Sequence, residues 1–191
     1  MGAIPRLRAL TRGRLAAVLV AVGAISLGAG ATAARAYFIE GSRWPGRTIT
    51  YYASAYRKAV DRGGKTWNDA HVGVTFKRVS NKSKANFVIR YDSSVKACEG
   101  ISLVGYQGRH VQSWIDLGRG CDREYMIITA THEMGHILGL GHETHRCARM
   151  NASADFPSGT PGHCSYHSRS YWLGHLLKGD DVRGARALYG G

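Results

Sequence analysis

Proline is scarce in this sequence, 4 residues in 191, and acidic side chains are few, 13 Asp+Glu against 26 Lys+Arg. The low proline count, beside 25 glycines in no triplet period, excludes a collagen-like chain and a proline-rich linker. No self-similar period of solenoid length is present, which excludes a repeat architecture. There is no groove-reading motif and no interleaving of basic and aromatic residues. The formal net charge of +13 therefore does not point to nucleic acid as a partner. Beyond residue 34 no stretch is apolar and long enough to cross a bilayer. What remains is ordinary: 44% hydrophobic residues and a length that suits one domain.

The first 36 residues read as a separate object. Arg6, Arg8, Arg12 and Arg14 precede an apolar run from Leu15 to Leu27, and small residues follow to Ala34-Arg35-Ala36. A basic start, a short apolar core and an A-x-A end describe a secretory signal peptide. Cleavage is expected after Ala36, with Ala33 as the second choice; an uncleaved anchor helix is the alternative. Removing 1–36 takes away five of the 26 basic residues and no acid, leaving 21 against 13 and a net charge of +8. The expected product is residues 37–191, secreted, extracellular and basic, with no membrane span.

Cys98, Cys121, Cys147 and Cys164 all fall in that product, and none stands in a C-x-x-C pair. An even count in an exported chain implies disulfides, with three possible pairings. The sequence-local pairing, Cys98–Cys121 with Cys147–Cys164, is expected. Each bond would close a short loop, worth about 3 kcal/mol in the chain-entropy account.

Patterning supplies a coarse element order. Arg47–Ser54 is β-branched and aromatic, a strand. Ala55–Asp69 has helical spacing, which Gly63-Gly64 weakens without breaking. Val72, Val74 and Phe76 alternate as a half-buried strand, and Asn86–Tyr91 is another. Ile101–Gln107 and His110–Leu117 read as two strands of a hairpin turning at Gly108-Arg109. Arg123–Leu138 is a helix, with Ile127, Ile128, Thr131, Met134 and Leu138 on its apolar face and Gly139 at its end. Residues 141–178 are loop-rich, and Asp180-Asp181 open a last helix. The order predicts one α+β domain whose sheet is assembled before the second helix.

The chemistry lies in 132–142, HEMGHILGLGH. On a helix His132 and His136 are one turn apart and share a face, so they can fill two positions of a zinc tetrahedron. Glu133 sits about 100° further round, beside the metal, where a base for an activated water belongs. Gly139 can end the helix with φ > 0 and turn the chain so that His142 arrives as the third ligand. Three protein ligands leave one position open, the mark of a catalytic zinc site.

This segment resembles the H-E-x-x-H-x-x-G-x-x-H signature of the metzincin endopeptidases at every fixed position. Met150, eight residues after His142, is similar to the Met-turn methionine at the spacing of the matrixin-like branch. Residues 180–190 resemble the last helix of matrixin catalytic domains. Cys147 is also similar to a feature of small secreted snapalysin-type proteases. The resemblance implies a zincin/metzincin-like single α+β domain with a twisted mixed sheet, an active-site helix and a C-terminal helix. It implies one catalytic Zn2+ held by His132, His136 and His142, Glu133 as general base, Met150 beneath the metal, and protein or peptide substrates cut by a monomer. No Tyr stands two residues after Met150, so an astacin-type tyrosine ligand is not expected. Calcium has no acidic run to support it near Ile115-Asp116. A non-catalytic zinc-containing module held to an anionic cell surface is the alternative. His145, His163, His167 and His175 read as surface histidines. Tyr166, Tyr171 and Trp172 are expected either to line a specificity pocket or to pack under the long loop.

Overall fold

A computed structural model describes residues 37–152, 154, 155, 160, 161, 164 and 167–190. The expected signal peptide, His163 and Tyr166 lie outside the described residues. Strand β1 (Thr48–Ala53) leads to helix α1 (Arg57–Asp69), then β2 (Thr75–Arg78), β3 (Phe87–Tyr91), β4 (Gly100–Ser102) and β5 (Ser113–Leu117). Helix α2 (Arg123–Leu138) follows. Two short strands, β6 (Ala154–Asp155) and β7 (Thr160–Pro161), come before helices α3 (Arg169–Gly174) and α4 (Gly179–Tyr189). The order along the five-stranded sheet is β2-β1-β3-β5-β4. The contacts between β1 and β2, β1 and β3, and β3 and β5 are parallel, and β4 lies antiparallel to β5 on the edge. This is the mixed sheet formed before the second helix.

Alternation explains β1, where Ile49, Tyr51 and Ala53 are buried and the residues between them are not. Val72 and Val74 are buried as expected but precede the strand, which begins at Thr75. Helix α1 turns Ala59, Val60, Gly63, Gly64 and Trp67 inward. Its glycines are contact points: a Cβ on Gly63 would lie 3.2 Å from the Thr131 backbone nitrogen, and one on Gly64 3.1 Å from Met134 Cε. The pair that weakens α1 as a helix is what lets it pack closely on α2. Trp67, fully buried, donates from Nε1 to the Thr131 carbonyl at 2.9 Å.

Helix α2 is buried along nearly its whole length, and the five predicted apolar-face residues are all inside. Asp122 caps its start by accepting the Tyr125 N–H at 2.9 Å. That bond, with Arg169 nearby, holds the Asp122 carboxyl below the usual carboxylate range. Gly139 ends the helix at φ 103°, and a Cβ there would lie 2.9 Å from the Gly41 carbonyl oxygen.

The expected hairpin is corrected in one respect. β4 stops at Ser102 and β5 starts at Ser113, so 103–112 is a loop and not strand continued to a tight turn. The chain leaves the sheet because its amides are used elsewhere. Gly105, at φ 69°, donates to the His136 carbonyl at 2.8 Å, and Tyr106 donates to the Ser42 carbonyl at 2.8 Å. The segment just past the expected cleavage point is also tied down. Glu40 and Gly41 donate to the Gly139 carbonyl, and Gly141 donates to the Phe38 carbonyl.

Candidate metal centre and active site

His132 and His136 project from one face of α2, and the turn at Gly139 brings His142 to them. The Nε2 atoms of His132 and His136 are 3.1 Å apart, and those of His136 and His142 are 3.2 Å apart. All three ligand atoms lie within 4.8 Å of one another. Two backbone carbonyls set the ring orientation: His132 Nδ1 meets the Arg149 oxygen at 2.8 Å and His136 Nδ1 meets the Leu140 oxygen at 2.8 Å. A carbonyl only accepts, so each Nδ1 carries the proton and each Nε2 of the neutral ring is bare. Burial also drives these rings toward neutrality. It pushes His132 well below its usual range and His136 down to about 4, and it lowers His142 against the pull of Glu40. Bare lone pairs about 3 Å apart repel unless a cation sits between them.

The donor set fits zinc. Zn–N bonds of about 2.0–2.1 Å in a tetrahedron put neighbouring nitrogens about 3.3 Å apart, close to the spacing seen. Each oriented Nδ1–H is the outer-shell contact that metal-ligating histidines commonly make.

Glu133 is 4% exposed. Its Oε2 accepts the Ser102 hydroxyl at 2.7 Å. Burial pushes its carboxyl up to about 7, while the Ser102 hydrogen bond opposes that rise. A cleft of about 580 Å3 runs past these residues. Its lining includes β4, the three histidines with Glu133, and Arg149, Asn151 and Ala152 around the Met150 turn.

Met150 is buried beneath α2, where a Cβ on Gly135 would strike its sulfur. The turn carrying it is closed by several bonds. Glu143 donates to the Met150 carbonyl at 2.7 Å, and the Asn151 amide donates to the carbonyls of Glu143 and Arg146. The cysteines are bonded in the sequence-local pairing, Cys98–Cys121 and Cys147–Cys164. The first holds β4 to the start of α2, and the second ties the Met150 turn to the following segment.

His145 and His175 are exposed and His167 is half-buried, all outside the cleft lining. Trp172 does not line the cleft either; it is buried, with the Arg149 guanidinium 4.3 Å above its ring. Tyr171 stacks between His167 and His175. Of the two roles open to this pair, lining the cleft is not the one found: Trp172 sits in the core and Tyr171 packs against it. Residue-by-residue reading missed Ser102, Glu40 and the structural part played by Asp181. The first two carry no motif and reach the cleft only through tertiary approach. Position 152, where an astacin-type tyrosine ligand would stand, is Ala152 on the cleft border.

The family model of astacin, a peptidase family, matches residues 38–152. Human matrix metalloproteinase-20 is 27% identical over 172 residues, 78% of this chain and 32% of that protein. Human tolloid-like protein 2 is 29% identical over 105 residues, 52% of this chain and 9% of that protein. The chain thus spans only a minor part of the length of these relatives. Among solved structures, a crystal structure of myroilysin matches with a TM-score of 0.44 and 18% identity, covering 69% of this chain and 61% of that one. The metzincin resemblance drawn from 132–142 is borne out, and because the matched segment takes in the sheet, α2, His142 and Met150, the chain belongs to the astacin family of peptidases.

Proposed function

We propose that this chain is an exported zinc endopeptidase in which His132, His136 and His142 hold the metal and Glu133 is the general base. The observation that carries the reading is the convergence of three imidazole nitrogens, two with their Nδ1 protons committed to backbone carbonyls, beside a buried carboxylate. Bound zinc supplies Lewis acidity, bringing the pKa of a water to about 7 and polarising the scissile carbonyl. The protein's own groups do the rest. The Arg149 and Leu140 carbonyls fix the ring orientation, so the ligand nitrogens need no reorganisation. Glu133 takes the water proton and delivers it to the leaving amine. β4 has one neighbour in the sheet, so its free side can align an extended peptide by strand addition. Met150 packs under the ligand-bearing helix and keeps its last turn in place.

Residues 1–36 act as the signal peptide and 37–191 as the secreted catalytic domain, a monomer acting on protein or peptide substrates. Two disulfides suit an oxidising compartment. The test is casein hydrolysis by the purified, oxidised protein. Hydrolysis should stop with a chelator and return with zinc, and Glu133→Gln should keep one zinc per chain while hydrolysis falls at least about a hundredfold. Substantial turnover by Glu133→Gln would refute its role. Zinc binding without any hydrolysis by the native protein would favour a non-catalytic module.

A further inference from the structure

We propose that Ser102 is a positioning residue for Glu133, its hydroxyl holding one carboxylate oxygen so that the other is left to take the proton of the attacking water. The inference deepens the endopeptidase reading and rests on it.

Ser102 Oγ donates to Glu133 Oε2 at 2.7 Å, and Oε1 accepts no hydrogen bond among the described residues. Donation to an ionised carboxylate is a charge-assisted bond, about twice the strength of a neutral one. It therefore orients the group as well as offsetting part of its burial cost. The two-residue period of β4 puts Gly100 on the same face as Ser102, and the missing Cβ of Gly100 makes room for the carboxylate. A Cβ there would lie 2.7 Å from Glu133 Cγ and 2.9 Å from Oε1. Ile101, between them, points the other way and is 50% exposed.

β4 itself is held from two sides. On one side it pairs with β5, with Gly100 opposite Leu117 and Ser102 opposite Ile115. On the other, the chain entering it is fastened to α2 by the Cys98–Cys121 bond and by the Thr129 hydroxyl donating to the Cys98 carbonyl at 2.8 Å. The donor to Glu133 thus comes from a strand already anchored to the helix that bears it. A base contributes its full factor only when it is aimed at the proton it removes.

The test compares the protein expressed from the full chain as wild type, Ser102→Ala, Ser102→Thr, Glu133→Gln and the Ser102→Ala/Glu133→Gln double variant. Readouts are kcat and KM on a fluorogenic peptide, zinc per chain and Tm. Ser102→Ala should lower kcat about tenfold, part of the whole general-base factor. KM should stay within about twofold and zinc at one per chain. Ser102→Thr, which keeps the hydroxyl, should recover most of kcat. The Tm shifts of Ser102→Ala and Glu133→Gln should be non-additive, because the first removes the donor of the bond and the second removes the charge that strengthens it. A Ser102→Ala protein equal to wild type in kcat, while Glu133→Gln is dead, overturns this proposal alone. So does a loss that appears mainly in KM with additive Tm shifts, since that is a disturbed substrate-aligning strand. Glu133→Gln as active as wild type overturns the functional reading and this one with it.

Discussion

Asp181 is 2% exposed and accepts three backbone N–H groups, those of Lys178 at 2.7 Å, Arg149 at 2.9 Å and Met150 at 3.1 Å. One carboxylate caps α4 and also secures the turn that holds Met150. The same turn presents the Arg149 carbonyl to His132, so the chain of contacts runs from Asp181 to a proposed ligand. Truncation would strand several buried donors, each costing about 1–3 kcal/mol. Asp181→Ala should therefore lose about 3 kcal/mol of stability in urea unfolding and weaken zinc binding about tenfold. Asp181→Asn, which keeps one acceptor oxygen, should lose less on both counts. Asp181 was visible in the sequence as a helix-start acid. Its second duty was not, because 31 residues separate it from Met150 and no local pattern spans that gap.

At the scale of elements, α2 was the most legible part of the chain. Its predicted bounds, Arg123 to Leu138, are those found, since Asp122 and Gly139 mark both ends with local chemistry. The edge strand was the least legible. Ile101 to Gln107 alternates well enough for a strand, but its amides from Gly105 onward go to the end of α2 and to the N-terminal segment. The α1–α2 contact gives a prediction whose sign depends on magnitudes. In an exposed helix, Gly→Ala gains about 1 kcal/mol. At Gly63 the new Cβ would press on the Thr131 backbone at 3.2–3.3 Å, and backbone within a buried helix yields little. Overpacking costs about 1–3 kcal/mol, so Gly63→Ala should be net destabilising by about 1 kcal/mol. Chemical denaturation measures it, and a stabilised variant would show that the helices can part freely.

For the whole molecule, the site joins parts that fold around α2 from both directions. The Phe38–Gly41 segment, β4 and the Met150 turn each bond to α2 or the loop that follows it. A ligand that binds only the folded state raises stability by mass action, about 2.7 kcal/mol at a hundredfold excess over its Kd. Chelation should thus lower Tm by roughly 5–10 °C for a chain of this size. His136→Ala should melt at the lower temperature with or without chelator, as differential scanning calorimetry would show. What the sequence determined by itself was local. One signature spaced three histidines and a glutamate along a helix and past its terminating glycine, and helical periodicity needs no tertiary partner to place His132 and His136 on one face. It also carried the export signal as an expectation. Tertiary structure alone decided what surrounds those residues: Ser102 at the carboxylate, two carbonyls behind the rings, and Asp181 under the turn. These contacts join residues 4 to 32 positions apart, and most depend on how sheet, helix and loop pack. Short-range spacing does not encode that packing.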